Sequence, residues 1–145
     1  MKEEFTVYKA VRVIEGGWFV SCTTGHPLFP EIKDWELAYV LGEETIAHEG
    51  SVGILCFVGP WACARFVRDG LHTLAPGYEF AVLECVTKHV PHEQHWVISD
   101  TRAFSALVTH YEQWPSVMDD AGVGYAPNGT YVVPSLTPRR IYKEK

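Results

Sequence analysis

The chain has 145 residues, 47% of them hydrophobic and 21% charged, and carries a net charge of −6 with its histidines neutral. This length fits one domain that buries roughly 70% of its unfolded surface, so no metal or disulfide staple is needed, and the apolar content excludes a disordered chain. The acidic balance excludes a nucleic-acid surface, which needs clustered Lys and Arg, and no run of 18 apolar residues is present to make a membrane span.

Residues 5–14, FTVYKAVRVI, alternate in part and are rich in β-branched and aromatic types, which predicts a strand. Glu15-Gly16-Gly17 is a turn signal and WFVSC follows, so the pair reads as a β-hairpin. Residues 23–35 hold Gly25, Pro27 and Pro30 and read as a long loop anchored by Leu28, Phe29 and Trp35. ELAYVLGEE holds a short strand ending at Gly42, and VGILCFVG, bounded by glycines, is a buried strand.

Pro60 suits the first turn of a helix, where its missing N–H costs nothing. Ala62, Cys63, Phe66 and Val67 then form one apolar helical face, and Gly70 supplies the stop. YEFAVLECVTK, residues 78–88, is a strand with Tyr78, Phe80, Val82 and Glu84 on one face, and HWVIS a further short one. Ser99 or Asp100 caps a second helix, TRAFSALVTHYEQW, which Pro115 ends. Residues 116–129 read as loop, while TYVVPS and RRIYK are closing strands or edge segments, Pro134 confining the former to an edge. The predicted fold is therefore α+β: one domain over residues 1–145, with a mainly antiparallel sheet of five to seven short strands and two main helices.

The amino terminus, MKEEFTVYKAV, has two glutamates where a signal peptide would carry positive charge before an apolar stretch, so a cytoplasmic location is expected. Cys22, Cys56, Cys63 and Cys85 then read as reduced thiols in apolar surroundings. The Asn128-Gly129-Thr130 sequon carries little weight without secretion, and the basic tail PRRIYKEK reads as a solvated terminus.

HVPHEQHW places His89, His92 and His95 at every third position, the spacing that first raises a metal site. Pro91 disfavours a helix here, and in an extended chain His89 and His92 point to opposite faces. His89 and His95 share a face but lie about 20 Å apart at ~3.3 Å per residue. The triplet is not a local tripod; a turn at Pro91-His92 would still need a ligand from His26, His48, His72, His110 or a cysteine. No metal is expected, with these three histidines as the candidates if one binds.

No phosphate-binding glycine loop and no Gly-x-Ser-x-Gly elbow occurs. Cys22 beside Thr23 and Thr24 is a nominal nucleophile without a local motif, and Glu43-Glu44 and Asp119-Asp120 read as solvated charge.

VYKAVR, the glycine turn, FVSC, AYVLGEE, GILCFVGPWACARFV and YEFAVLECV, in that order over roughly residues 7–86, resemble small uncharacterised bacterial and phage proteins. That resemblance implies no activity. The same order is distantly similar to the ADP-ribosyltransferase-like fold, with Tyr8 or Arg12 on the early strand, Ser21 to Thr24 on the next, and Glu84 on the later one. The Ser-Thr-Ser of that fold is missing, and Val82 stands where a second glutamate is expected.

No catalytic set assembles in the linear order, and Trp and Tyr are abundant, which favours interfaces. The expectation is a small protein-binding or self-associating module without a cofactor, with Trp18 and Trp35 as candidate binding residues. The alternative, implied by the more distant resemblance, is an NAD-dependent enzyme using Arg12 and Glu84 in one cleft.

Overall fold

The computed structural model describes residues 3–21, 37–47, 53–71, 77–93, 96–100, 121–125 and 129–143. Its centre is the long strand β1 (Phe5–Ile14), whose two faces are both buried in mid-strand: Val7, Lys9 and Val11 alternate with Ala10, and all four are buried. A strand buried on both sides has sheet neighbours on both edges and layers on both faces. Along one edge it pairs over its length with β6 (Glu79–Thr87), from Phe5 opposite Thr87 to Val13 opposite Glu79.

The other edge of β1 is shared. Tyr8 faces Phe57 of β5 (Ile54–Phe57), while Val11 to Ile14 pair with β2 (Trp18–Ser21) across the predicted glycine turn. Beyond β5 come β10 (Thr130–Val133) and β7 (His92–Glu93); beyond β2 comes β3 (Ala38–Tyr39); beyond β6 come β11 (Ser135–Ile141) and β4 (Thr45–Ile46). All these pairings are antiparallel.

Residues 40–44 join β3 to β4, and so join two margins of the sheet. The turn is closed by the Glu43 amide donating to Val40 O at 3.0 Å, and Gly42 takes φ +87°, the positive value a type II turn needs at that position. Thr45 Oγ1 donates to Ala38 O at 3.0 Å and the Gly42 amide to Pro138 O at 2.7 Å. The strands β1, β2, β3, β4, β11 and β6 thus form a closed circuit around Val7, Val11, Leu37, Tyr39, Leu83, Cys85 and Leu136.

The opposite face of β1, β5 and β6 is covered by α1 (Pro60–Arg65), which continues through a wider π-type segment, Phe66–Leu71. Pro60 sits in the first turn behind an extended Gly59, as predicted. The π widening turns Phe66, Val67, Gly70 and Leu71 together onto the sheet, against Ala10, Phe57 and Val82. Gly70 is therefore a buried residue within the helical segment, which runs one residue beyond it.

The fold class differs from the α+β expectation. The described chain is mainly β, with nine strands in one sheet and a separate ribbon of β8 (Trp96–Asp100) and β9 (Ala121–Tyr125). Among the described residues there is one helical segment of 12 residues, not two main helices. Ser99 and Asp100 lie in β8, paired with Gly122 and Ala121. The body of the expected second helix and the 23–35 loop fall outside the described residues. Three strands have only two residues each, too short to show periodicity, and Gly122 and Gly124 gave β9 the composition of a loop. β10 is also not an edge: it pairs with both β5 and β7, and Pro134 follows its last residue.

Candidate functional site

Arg12 and Glu84 lie on the same sheet face, the one under α1. Arg12 is opposite Phe80 and holds its guanidinium 5.5 Å from the centre of the Tyr78 ring. Glu84 is opposite Tyr8, four residues along β1 from Arg12, or ~13 Å at strand rise. The Ala10–Val82 pair between them is packed beneath the helix. The two thus share a sheet face, with that pair between them.

Glu84 has its own partner. Arg140 Nε donates to Glu84 Oε2 at 2.9 Å and Nη2 to Oε1 at 3.0 Å, a two-point pairing across β11 and β6. This hydrogen bonding holds the Glu84 carboxyl below its ordinary pKa, outweighing a small burial effect in the opposite direction. Alongside, the Tyr8 and Tyr142 rings meet edge to face at 5.5 Å. Burial first and then the Glu84 charge push the Tyr8 hydroxyl up.

Trp18 is 59% exposed at the start of β2, and its ring edge fills the space where a Cβ on Gly16 would stand. Trp35 and His95 lie outside the described residues, as do Cys22, His26, His48, His72 and His110. His89 is exposed beyond the end of β6, its amide donating to Thr87 Oγ1 at 3.2 Å, and His92 is exposed on β7 opposite Val132. Among the described residues no three His, Cys, Asp or Glu side chains gather as a metal site.

Cys56, Cys63 and Cys85 are buried free thiols. Burial pushes Cys56 up to about 12 and Cys85 up as well, so neither supplies a thiolate at neutral pH. Lys9 is fully buried in the same layer, 6.0 Å from the centre of the Tyr39 ring.

One concave feature among the described residues was not foreseen. An open groove of ≈ 300 Å³ is bounded by Ala64 and Val67 of the helical segment, Phe80, Ala81 and Val82 of β6, and Ile141 and Tyr142 at the end of β11. Consecutive strand residues point to opposite faces. A groove touching Phe80, Ala81 and Val82 together therefore sits at the margin of the sheet, where β11 runs out. Tyr142 is held there by its amide, which donates to Val82 O at 2.8 Å. Ile141 is 41% exposed, and Trp61, one helical turn before Ala64, is 72% exposed. The site joins Phe80 to Tyr142, 62 positions apart in the chain, and no local pattern in the sequence connects them.

The chain matches no family model, no curated protein and no solved structure.

Proposed function

We propose that this chain is a protein-binding domain that takes a polypeptide segment at the groove between α1 and the end of β11. The observation carrying this reading is a small aromatic-walled groove, Phe80 and Tyr142, with exposed Ile141 and Trp61 beside it. Its volume lies at the lower limit of ligand sites, enough for one or two side chains rather than a whole cofactor. Interfaces concentrate their energy in such anchors, with aromatic residues enriched and the surrounding contacts serving to exclude water. The cytoplasm is the compartment assigned to it, in keeping with Cys56, Cys63 and Cys85 as free thiols.

The test is selection of binders from a random peptide display library on the full chain, followed by amide chemical-shift mapping. Selected peptides are expected to shift Phe80, Ala81, Ile141 and Tyr142. Binders that leave these four unmoved, or no binders at all, would remove the groove from consideration.

A further inference from the structure

Resting on that reading, we infer that the bound segment is extended and acidic and adds as a strand to the outer edge of β11 at Arg139–Lys143. The ladder supports the edge. Arg140 is opposite Glu84 and Ile141 opposite Leu83, and the Tyr142 amide donates to Val82 O. In an antiparallel pair, alternate residues direct both backbone groups at the partner. Tyr142 and Arg140 therefore face β6, and Ile141 turns its N–H and C=O outward. On that outer side β4 pairs only with Ser135 and Leu136, and Pro138 O receives the Gly42 amide. Past Pro138, where the register shifts, no strand covers β11 among the described residues. The open edge borders the groove, which gives the two parts of strand addition: backbone hydrogen bonds, and a pocket for an alternate side chain.

Charge selects the occupant. Residues 138–143 read Pro-Arg-Arg-Ile-Tyr-Lys before Glu144, in a chain of net charge −6; Arg140 is paired with Glu84, which leaves Arg139 and Lys143 as the cations along this edge. Arg139 and Lys143 are exposed on either side of Ile141. Cationic residues on an edge deter indiscriminate pairing. A second copy pairing antiparallel about Ile141 would set Arg139 against Lys143 twice, and like charges directly opposite destabilise a sheet. A strand with Glu or Asp at alternate positions reverses both contacts.

The experiment uses the full chain with two synthetic peptides, one alternating Glu and Val, the other Lys and Val. Binding is followed by shifts at Phe80 and Tyr142 and by exchange protection of the Ile141 amide, whose N–H bonds to nothing on β6. The Glu–Val peptide is expected to bind, to protect Ile141, and to weaken about tenfold in an R139E/K143E double variant. If both peptides shift Phe80 and Tyr142 equally while Ile141 stays unprotected, the strand-addition inference is overturned and groove binding survives. If neither peptide moves the groove while display-selected peptides do, the acidic occupant is wrong. The exchange measurement on the unmodified chain decides even where a variant fails to fold.

Discussion

Arg140 and Glu84 grip each other at two points across neighbouring strands, through Nε–Oε2 at 2.9 Å and Nη2–Oε1 at 3.0 Å. The pair ties the end of β11 to β6 beside the groove, where among the described residues no strand covers the other edge of β11. Glu84, the acidic residue of the distant enzyme-like resemblance, is thus held by a guanidinium from a strand 56 positions away.

That pairing sets a pH dependence. Glu84 is held below its ordinary value, so the folded state binds its proton less tightly than the unfolded chain does. The stabilisation is complete above the unfolded carboxyl pKa of ~4.3 and is lost as pH falls through the lower folded value. Thermal melts from pH 7 down to pH 3 should show the wild type losing stability more steeply than Glu84→Gln, which starts lower. Parallel curves would mean that the pair contributes nothing to folding.

Gly53 should tolerate substitution less well than Gly17. Both have positive φ, +110° and +79°. A Cβ at Gly53 would stand 2.7 Å from Val132 Cγ2 and 3.2 Å from Val133 O, whereas one at Gly17 meets nothing within 4 Å. Gly17→Ala is expected to cost ~1 kcal/mol, the conformational term alone. Gly53→Ala adds the close approach of β10 and is expected to cost ~2–4 kcal/mol in urea unfolding.

The buried thiols give a labelling prediction. Burial raises Cys56 to about 12 and Cys85 in the same direction, so at pH 8 both remain protonated in the folded chain but ionise in part once unfolded. The stability associated with them is present below ~8.5 and is lost as pH rises above it. Site-resolved iodoacetamide labelling at pH 8 should modify Cys56 and Cys85 only as fast as the protein unfolds. Rapid native labelling at either position would contradict their burial.

Much of the central sheet was readable because its strands are long or continuously apolar. Phe5–Ile14, the Glu15–Gly17 turn, Ile54–Phe57 and Glu79–Thr87 all stand where alternation or an apolar run put them. Ala38–Tyr39, Thr45–Ile46 and His92–Glu93 exist as strands only through partners elsewhere in the chain, so no window of sequence reveals them. The groove was hidden for the same reason. Tyr142 meets Val82 through a ladder register, and Arg140 reaches Glu84 across 56 positions, while PRRIYKEK taken alone had the composition of a solvated tail. Only the distant resemblance joined Arg12 to Glu84; their shared sheet face, and the ~13 Å along β1 between them, follow from which residues of β1 and β6 pair.

Lys9 tests how the interior of the strand circuit is held. It is fully buried between Val7 and Val11, which are themselves inaccessible, and its ammonium lies 6.0 Å from the centre of the Tyr39 ring. Desolvating an ammonium costs several kcal/mol, which its contacts must offset, and a hydrophobic residue of similar volume removes that cost. Lys9→Met keeps the unbranched chain and its packing against Val7 and Val11; it is expected to change the unfolding free energy by less than ~1 kcal/mol or to raise it. Lys9→Ala removes the same charge but leaves a void, and is expected to cost ~2–4 kcal/mol. Urea denaturation of the two variants separates volume from charge. If Met proves as damaging as Ala, the ammonium itself organises the centre of the sheet, and the cation over Tyr39 is a structural contact in its own right.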